Sequence, residues 1–129
     1  DRCKNCLQDR LIPFFEAAIK NFHYTKEALK EFEKPVLDLK KIGKLMNDHH
    51  AVLRFLLKIT VPRIDDMINA ALKAGAYGAK IVGSGGGGSI VVIANPENET
   101  NVIAAILNAG ALEAYAVNVD PGVRIIENI

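Results

Sequence analysis

Between Gly75 and Ser89 the chain reads Gly-Ala-Tyr-Gly-Ala-Lys-Ile-Val-Gly-Ser-Gly-Gly-Gly-Gly-Ser, placing seven of its ten glycines in fifteen residues. So few Cβ atoms can neither stabilise a helix nor fill a core, so the flanking segments must hold the run. Ala79 to Val82 before it and Ile90 to Ala94 after it are short and apolar, the pattern of buried strands. A glycine connection between two such strands permits positive φ angles and a close approach of backbone to ligand. Successive exposed N–H groups in such a turn form a concavity suited to an anion, with phosphate the leading candidate. The same composition also describes a flexible linker. Apolar segments on both sides, with no change of composition beyond them, favour the ordered loop.

Composition narrows the function classes. The 129 residues are half hydrophobic, enough for one domain with a core. Sixteen basic against fifteen acidic residues leave no field to gather nucleic acid or an anionic membrane. No apolar run reaches the length of a membrane span and no charged-then-apolar leader precedes the domain, so a soluble, cytoplasmic chain is expected. Cys3 and Cys6 have C-x-x-C spacing, but no βαβ context follows, and His23, His49 and His50 do not complete a ligand set. Both thiols are read as reduced residues on the first helical turns, with no metal site. A start at Asp1 rather than Met fits a fragment or a processed product.

Taken in order, the chain opens with apolar residues at helical spacing from about Asn5 to Phe22, with Pro13 starting, kinking or restarting the helix. Thr25 is expected to cap a short second helix through Phe32, making the first quarter a helical hairpin. A longer helix is expected from about Val36 to Leu57, with Ile42, Leu45, Met46, His49, Leu53 and Leu56 on one face. Gly43 lowers its propensity by about 1 kcal/mol, so packing must hold it there. His49 and His50, beside that stripe, are read as hydrogen-bonded packing residues. Thr60 and Pro62 open the next helix, Asp65 and Asp66 complement its dipole as surface charge, and Gly75 caps its end. After the glycine run and its second strand come a turn at Asn95-Pro96 and a helix from about Glu97 to Asn108 ended by Gly110. A strand at Ala114 to Val119, a turn at Asp120-Pro121-Gly122 and a last strand at Val123 to Ile126 complete the order. Helices followed by ββαββ specify an α+β fold with an antiparallel sheet covered on one face.

The pattern Gly75-x-x-Gly78-Ala79-Lys80-Ile81-x-Gly83-Ser84-Gly85-x-Gly87-Gly88 closely resembles the third motif of the GHMP kinases. Upstream, Leu45-Met46-Asn47-x-x-His50-x-x-Leu53 and then Thr60-x-Pro62-x-Ile64-Asp65 are similar to the segment that precedes that motif in the galactokinase and mevalonate kinase branches. Together these cover about half the chain in the right order, more specific than an isolated glycine motif. The resemblance implies an ATP-dependent small-molecule kinase of two lobes, of which this chain, residues 1–129, is the C-terminal one. It would be a ferredoxin-like antiparallel sheet (76–129) with additional N-terminal helices (1–75). By position, Gly83, Ser84, Gly85, Gly86, Gly87 and Gly88 would face the interlobe cleft as the phosphate- and substrate-side loop. Val82 stands where the family commonly has Thr or Ser, and Ser89 where it often has Cys.

The family's nucleotide-gripping pattern, Pro-x-x-x-Gly-Leu-x-Ser-Ser-Ala, does not occur in these residues, nor does a recognisable catalytic aspartate segment. ATP and Mg2+ are therefore expected in the intact enzyme and not on this chain alone, whose partner would be an N-terminal kinase lobe. Phosphoryl transfer depends on positioning and charge stabilisation, which one loop cannot supply. The substrate is expected to be a small molecule, in a galactokinase-like sugar kinase; a mevalonate or sugar-phosphate kinase is the alternative. A non-catalytic ferredoxin-like ligand-binding module stays open beside both, since fold alone does not separate them. An apolar or mixed face around the loop leads to the expectation of self-association.

Overall fold

Two strands, β1 (Ala76–Val82) and β2 (Ser89–Ala94), pair antiparallel in a hairpin whose register runs from Ala76↔Ala94 to Val82↔Ser89, with a bulge between Ala76 and Gly78. The computed structural model describes residues 8–120 and 122. Helices α1 (Ile12–Phe32) and α2 (Leu39–Ala51) precede the hairpin, α3 (Pro62–Lys73) leads into it, and α4 (Glu99–Asn108) follows it. Alternation along β1 sends Ala79 and Ile81 into the core, where they meet Ile64, Met67, Ile68 and Ala71 of α3 and Val102 and Ile106 of α4. Ile81 is 1% exposed and anchors this layer. The α+β reading with an antiparallel sheet and N-terminal helices holds. Among the described residues the sheet has two strands.

The outer edge of β1, away from β2, is covered by a helix instead of a third strand. Gly43, Asn47 and His50 are spaced i, i+4 and i+7 on α2 and so share one face. A Cβ on Gly43 would lie 2.5 Å from the Tyr77 carbonyl carbon, so only glycine lets α2 approach this closely. Asn47 then bonds the strand twice, donating from Nδ2 to the Tyr77 carbonyl at 3.1 Å and accepting the Ala79 N–H at 3.0 Å. Two residues on, the Ile81 N–H donates to His50 Nδ1 at 3.4 Å, and Lys80 Nζ donates to the Ile81 carbonyl at 2.9 Å. Side chains thus satisfy backbone groups that would otherwise template aggregation.

Several expectations are corrected. The first quarter is one helix of 21 residues, begun by Pro13 in its first turn. Thr25 is not a cap but an interior residue whose hydroxyl donates to the Asn21 carbonyl at 2.9 Å, because no glycine or proline interrupts the stretch. The next helix starts at Leu39, where Asp38 accepts the Lys41 N–H, not at Val36. Its end widens into a π turn over Val52–Leu56, with Leu57 N–H donating to the Val52 carbonyl at 3.0 Å. Val61, not Thr60, occupies the cap position of α3, while Pro62 is in its first turn as expected. Among the described residues Ala114 to Val119 forms no strand pairing, and Tyr115, Val117 and Val119 are exposed. The expected strand Val123 to Ile126, together with Cys3 and Cys6, lies outside the described residues.

Other local signals act as read. The Gly110 N–H donates to the Leu107 carbonyl and the Ala111 N–H to the Ile106 carbonyl, a paired closure of α4. Gly122 N–H donates to Asp120 Oδ1 at 2.8 Å, the Asx bond of the expected turn. The α1–α2 connection is held by Glu31, whose carboxylate meets Lys34 at 2.7 Å, Lys41 at 3.1 Å and the Asp38 N–H at 3.3 Å. Its side chain is 0% exposed because the half-exposed lysines and the turn lie over it, near the surface rather than deep in the core.

Candidate functional site

The glycine loop joins Val82 to Ser89 across the open end of the hairpin, so it connects two paired strands and is not a tether between domains. Gly83, Gly85, Gly86, Gly87 and Gly88 all have φ between 77° and 142°. The tip is held from below: Gly86 N–H donates to the Ile59 carbonyl at 2.7 Å. Gly85 sits so close that a Cβ there would lie 2.5 Å from the same carbonyl oxygen, at a φ of 85° that L side chains rarely adopt. Loop and Ile59 therefore form one ordered unit, against the linker reading.

Above that contact the loop is open. Nothing lies within 4 Å of a Cβ built on Gly83, Gly86, Gly87 or Gly88. Among the described residues, the N–H groups of Gly85, Gly87 and Gly88 have no backbone acceptor within the chain. Backbone N–H groups without an internal acceptor, on a loop with open space beside it, can serve one edge of an oxyanion such as a phosphate or carboxylate. Ser84 and Val82 stand exposed at the loop's first turn, the latter offering a methyl surface where a hydroxyl would offer a hydrogen bond. Two hollows of about 290 and 160 Å³ lie among the helices, and no loop residue lines either one. Among the described residues no group of three or more His, Cys, Asp or Glu side chains is placed to hold a metal ion.

Beneath the loop is a polar cluster that the sequence reading missed. Asp65 is not surface charge: its side chain is 13% exposed, and Oδ2 accepts from Arg54 Nε at 3.0 Å and from Thr60 Oγ1 at 3.4 Å. Its Oδ1 faces His50 Nε2 at 3.4 Å. Asp66 beside it is exposed, as expected. Because His50 Nδ1 accepts the Ile81 N–H, the ring proton is assigned to Nε2, pointing at Asp65. Burial pushes the His50 pKa down and outweighs the opposing pull of Asp65, so the imidazole is neutral at ordinary pH. Burial also lowers His49 and Lys80, the Lys80 ammonium adding to the effect on His49. Lys58 takes a left-handed φ of 54° directly before Ile59, and only the folded context reveals that strain.

Residues 25–112 match the family described as GHMP kinases C terminal. This chain belongs to that family. Over 97 residues, 75% of the chain, it is 37% identical to a mevalonate kinase of Thermococcus sibiricus, and over 87 residues, 67% of the chain, it is 39% identical to one from Thermococcus onnurineus. A galactokinase of Candida parapsilosis is 29% identical over 119 residues. In fold, this GHMP kinase domain resembles the crystal structure of L. major mevalonate kinase in complex with R-mevalonate, with a TM-score of 0.65 at 23% identity over 74% of the chain. The matches cover 28%, 25% and 22% of the three relatives and 28% of the solved chain, so the domain spans under a third of their length. Among the described residues, no helix is long and apolar enough to cross a membrane.

Proposed function

We propose that this GHMP kinase C-terminal domain is the substrate- and phosphate-side lobe of an ATP-dependent kinase acting on the hydroxyl of mevalonate. The observation that carries the reading is an ordered glycine loop with N–H groups that have no backbone acceptor among the described residues, on a chain 37% and 39% identical to two mevalonate kinases over two thirds or more of its length. The mevalonate kinase alternative is favoured over the galactokinase-like expectation, because several mevalonate kinases reach 34% to 39% identity against 29% for a galactokinase of Candida parapsilosis. Residues Gly83 to Gly88 would lie along one side of the reacting phosphate or substrate, their backbone amides stabilising negative charge. ATP, when bound, supplies the phosphoryl group. Its base and metal would be gripped by an N-terminal lobe, since the open loop fits an oxyanion and no described cluster fits a metal. A cytoplasmic location belongs to the same proposal.

The test uses Gly87, where φ is 142° and a side chain would meet no neighbour within 4 Å. In the kinase chain that contains this lobe, Gly87→Val should lower phosphoryl transfer to mevalonate by about tenfold or more, since a β-branched residue resists positive φ and enters the cradle. Thermal stability should fall far less. Unchanged turnover would remove the loop from the chemistry, and faster transfer to galactose than to mevalonate would restore the sugar-kinase reading.

A further inference from the structure

Two routes lead from the Asp65 carboxylate towards the glycine loop, one by a close polar contact to His50 and one by a hydrogen bond from Thr60. One runs through His50: Asp65 Oδ1 faces Nε2 at 3.4 Å, a buried polar contact in which neither atom has a hydrogen-bond partner among the described residues, and Nδ1 of the same ring accepts the N–H of Ile81, two residues before the loop begins. The other runs through Thr60, whose hydroxyl donates to Oδ2 at 3.4 Å and whose chain neighbour Ile59 accepts the Gly86 N–H at 2.7 Å. Arg54 Nε, on Oδ2 at 3.0 Å, secures the π turn, and the Ile59 N–H returns to that turn by donating to the Leu53 carbonyl at 3.0 Å. One carboxylate therefore ties together α2, the π turn, the entry to α3 and the rising strand. No other described backbone bond joins residues 83–88 to the body of the protein outside the hairpin than the one from Gly86 to Ile59.

We propose that Asp65 is a positioning residue for the glycine loop, setting the height of its tip through Thr60 and Ile59 and the direction of its leading strand through His50. It touches no reacting group. The proposal rests on the reading of the loop as the phosphate-side element of a kinase. There, a misplacement of about 1 Å costs as much as about a hundredfold in rate, so a tether at the loop's tip and on its leading strand has a direct kinetic consequence.

The experiment follows individual amides in the 129-residue chain by hydrogen exchange. Asp65→Asn should expose both Ile81 and Gly86, each losing at least about tenfold in protection, while Gly110, bonded to Leu107 at the far end of α4, changes less than about twofold. The branches separate with two further variants. Thr60→Val should expose Gly86 and spare Ile81, whereas His50→Phe should expose Ile81 and spare Gly86. In the kinase chain containing the lobe, Asp65→Asn should lower kcat by about tenfold or more at temperatures where it stays folded. Uniform loosening of all three amides would reduce Asp65 to a general stabilising residue and overturn the proposal, as would an unchanged Gly86. Loss of protection at both Ile81 and Gly86 with kcat intact overturns it too, while Gly87→Val still reports on the loop itself. If Gly87→Val is silent in turnover, the kinase reading of the loop fails and the positioning role falls with it.

Discussion

His50 carries a pH dependence whose sign follows from its surroundings. Burial holds its pKa below the ordinary 6.5, and the same holds for His49, so the folded chain binds fewer protons than the unfolded chain in the window below that value. Stability is then fully present above about pH 6.5 and is lost as pH falls through that point towards the lowered folded values. Protonating His50 at Nδ1 would also remove the acceptor of the Ile81 N–H, coupling the titration to β1. Thermal unfolding between pH 5 and pH 8 should show a falling melting temperature on the acid side. His50→Phe should flatten part of that slope, with His49 supplying the rest, and an unchanged slope would contradict the assignment. Glu31 acts in a separate window. Hydrogen bonds from Lys34 first, then Lys41 and the Asp38 N–H, hold its pKa down to about 2, so its contribution is present above the ordinary carboxylate value of 4.5 and is lost as pH falls towards 2.

Helix α2 shows how a local cost is set against a tertiary gain. By propensity alone, Gly43→Ala should stabilise it by about 1 kcal/mol. In the fold, the added Cβ would lie 2.5 to 2.7 Å from the Tyr77 backbone and Cβ, and α2 would have to back away from β1. Retreat lengthens the Asn47 and His50 bonds to the strand edge, so the net effect should be a loss of about 1–3 kcal/mol. Chemical denaturation of the variant measures it, and a more stable Gly43→Ala would mean that the contact between α2 and β1 is looser than described. The motif Leu45-Met46-Asn47-x-x-His50-x-x-Leu53 was visible as a pattern. Its task, replacing a neighbouring strand with side chains, was not, because hydrogen bonds between residues about 30 apart leave no mark on helical periodicity.

The whole molecule presents surfaces that its own core does not use. Phe14, Phe22, Leu29 and Phe32 stand exposed along α1, Phe22 at 57%, and Tyr115, Val117 and Val119 are exposed beyond α4. Large exposed apolar side chains on one helix favour contact with another surface. The 129-residue chain alone should therefore associate at high concentration, seen by light scattering as a mass rising with concentration. It should also form no phosphorylated product from ATP and mevalonate, because it spans only 28% and 25% of the two Thermococcus mevalonate kinases. A strict monomer would contradict the first expectation and measurable turnover the second.

What sequence could determine here was local or periodic. The order α2, α3, hairpin, α4, proline in the first turns of α1 and α3, the closure of α4 at Gly110 and the place of the glycine loop between two apolar strands all follow from short-range sterics and spacing. The family was legible for the same reason, since its motif is a contiguous run of residues whose backbone geometry the glycines dictate. Tertiary structure decided the rest. Thr25 and Thr60 look alike as capping residues, but one lies inside an unbroken helix and the other turns towards a buried carboxylate. Asp65 and Asp66 are identical in sequence terms, and a rotation of about 100° between neighbouring helical positions turns one largely inward and exposes the other. The strand pattern of Ala114 to Val119 is present in the residues, yet pairing needs a neighbouring edge, and among the described residues none is bonded to it. Spacing along the chain specifies which backbone shapes are accessible; which side chain meets which carbonyl depends on the packing of distant elements.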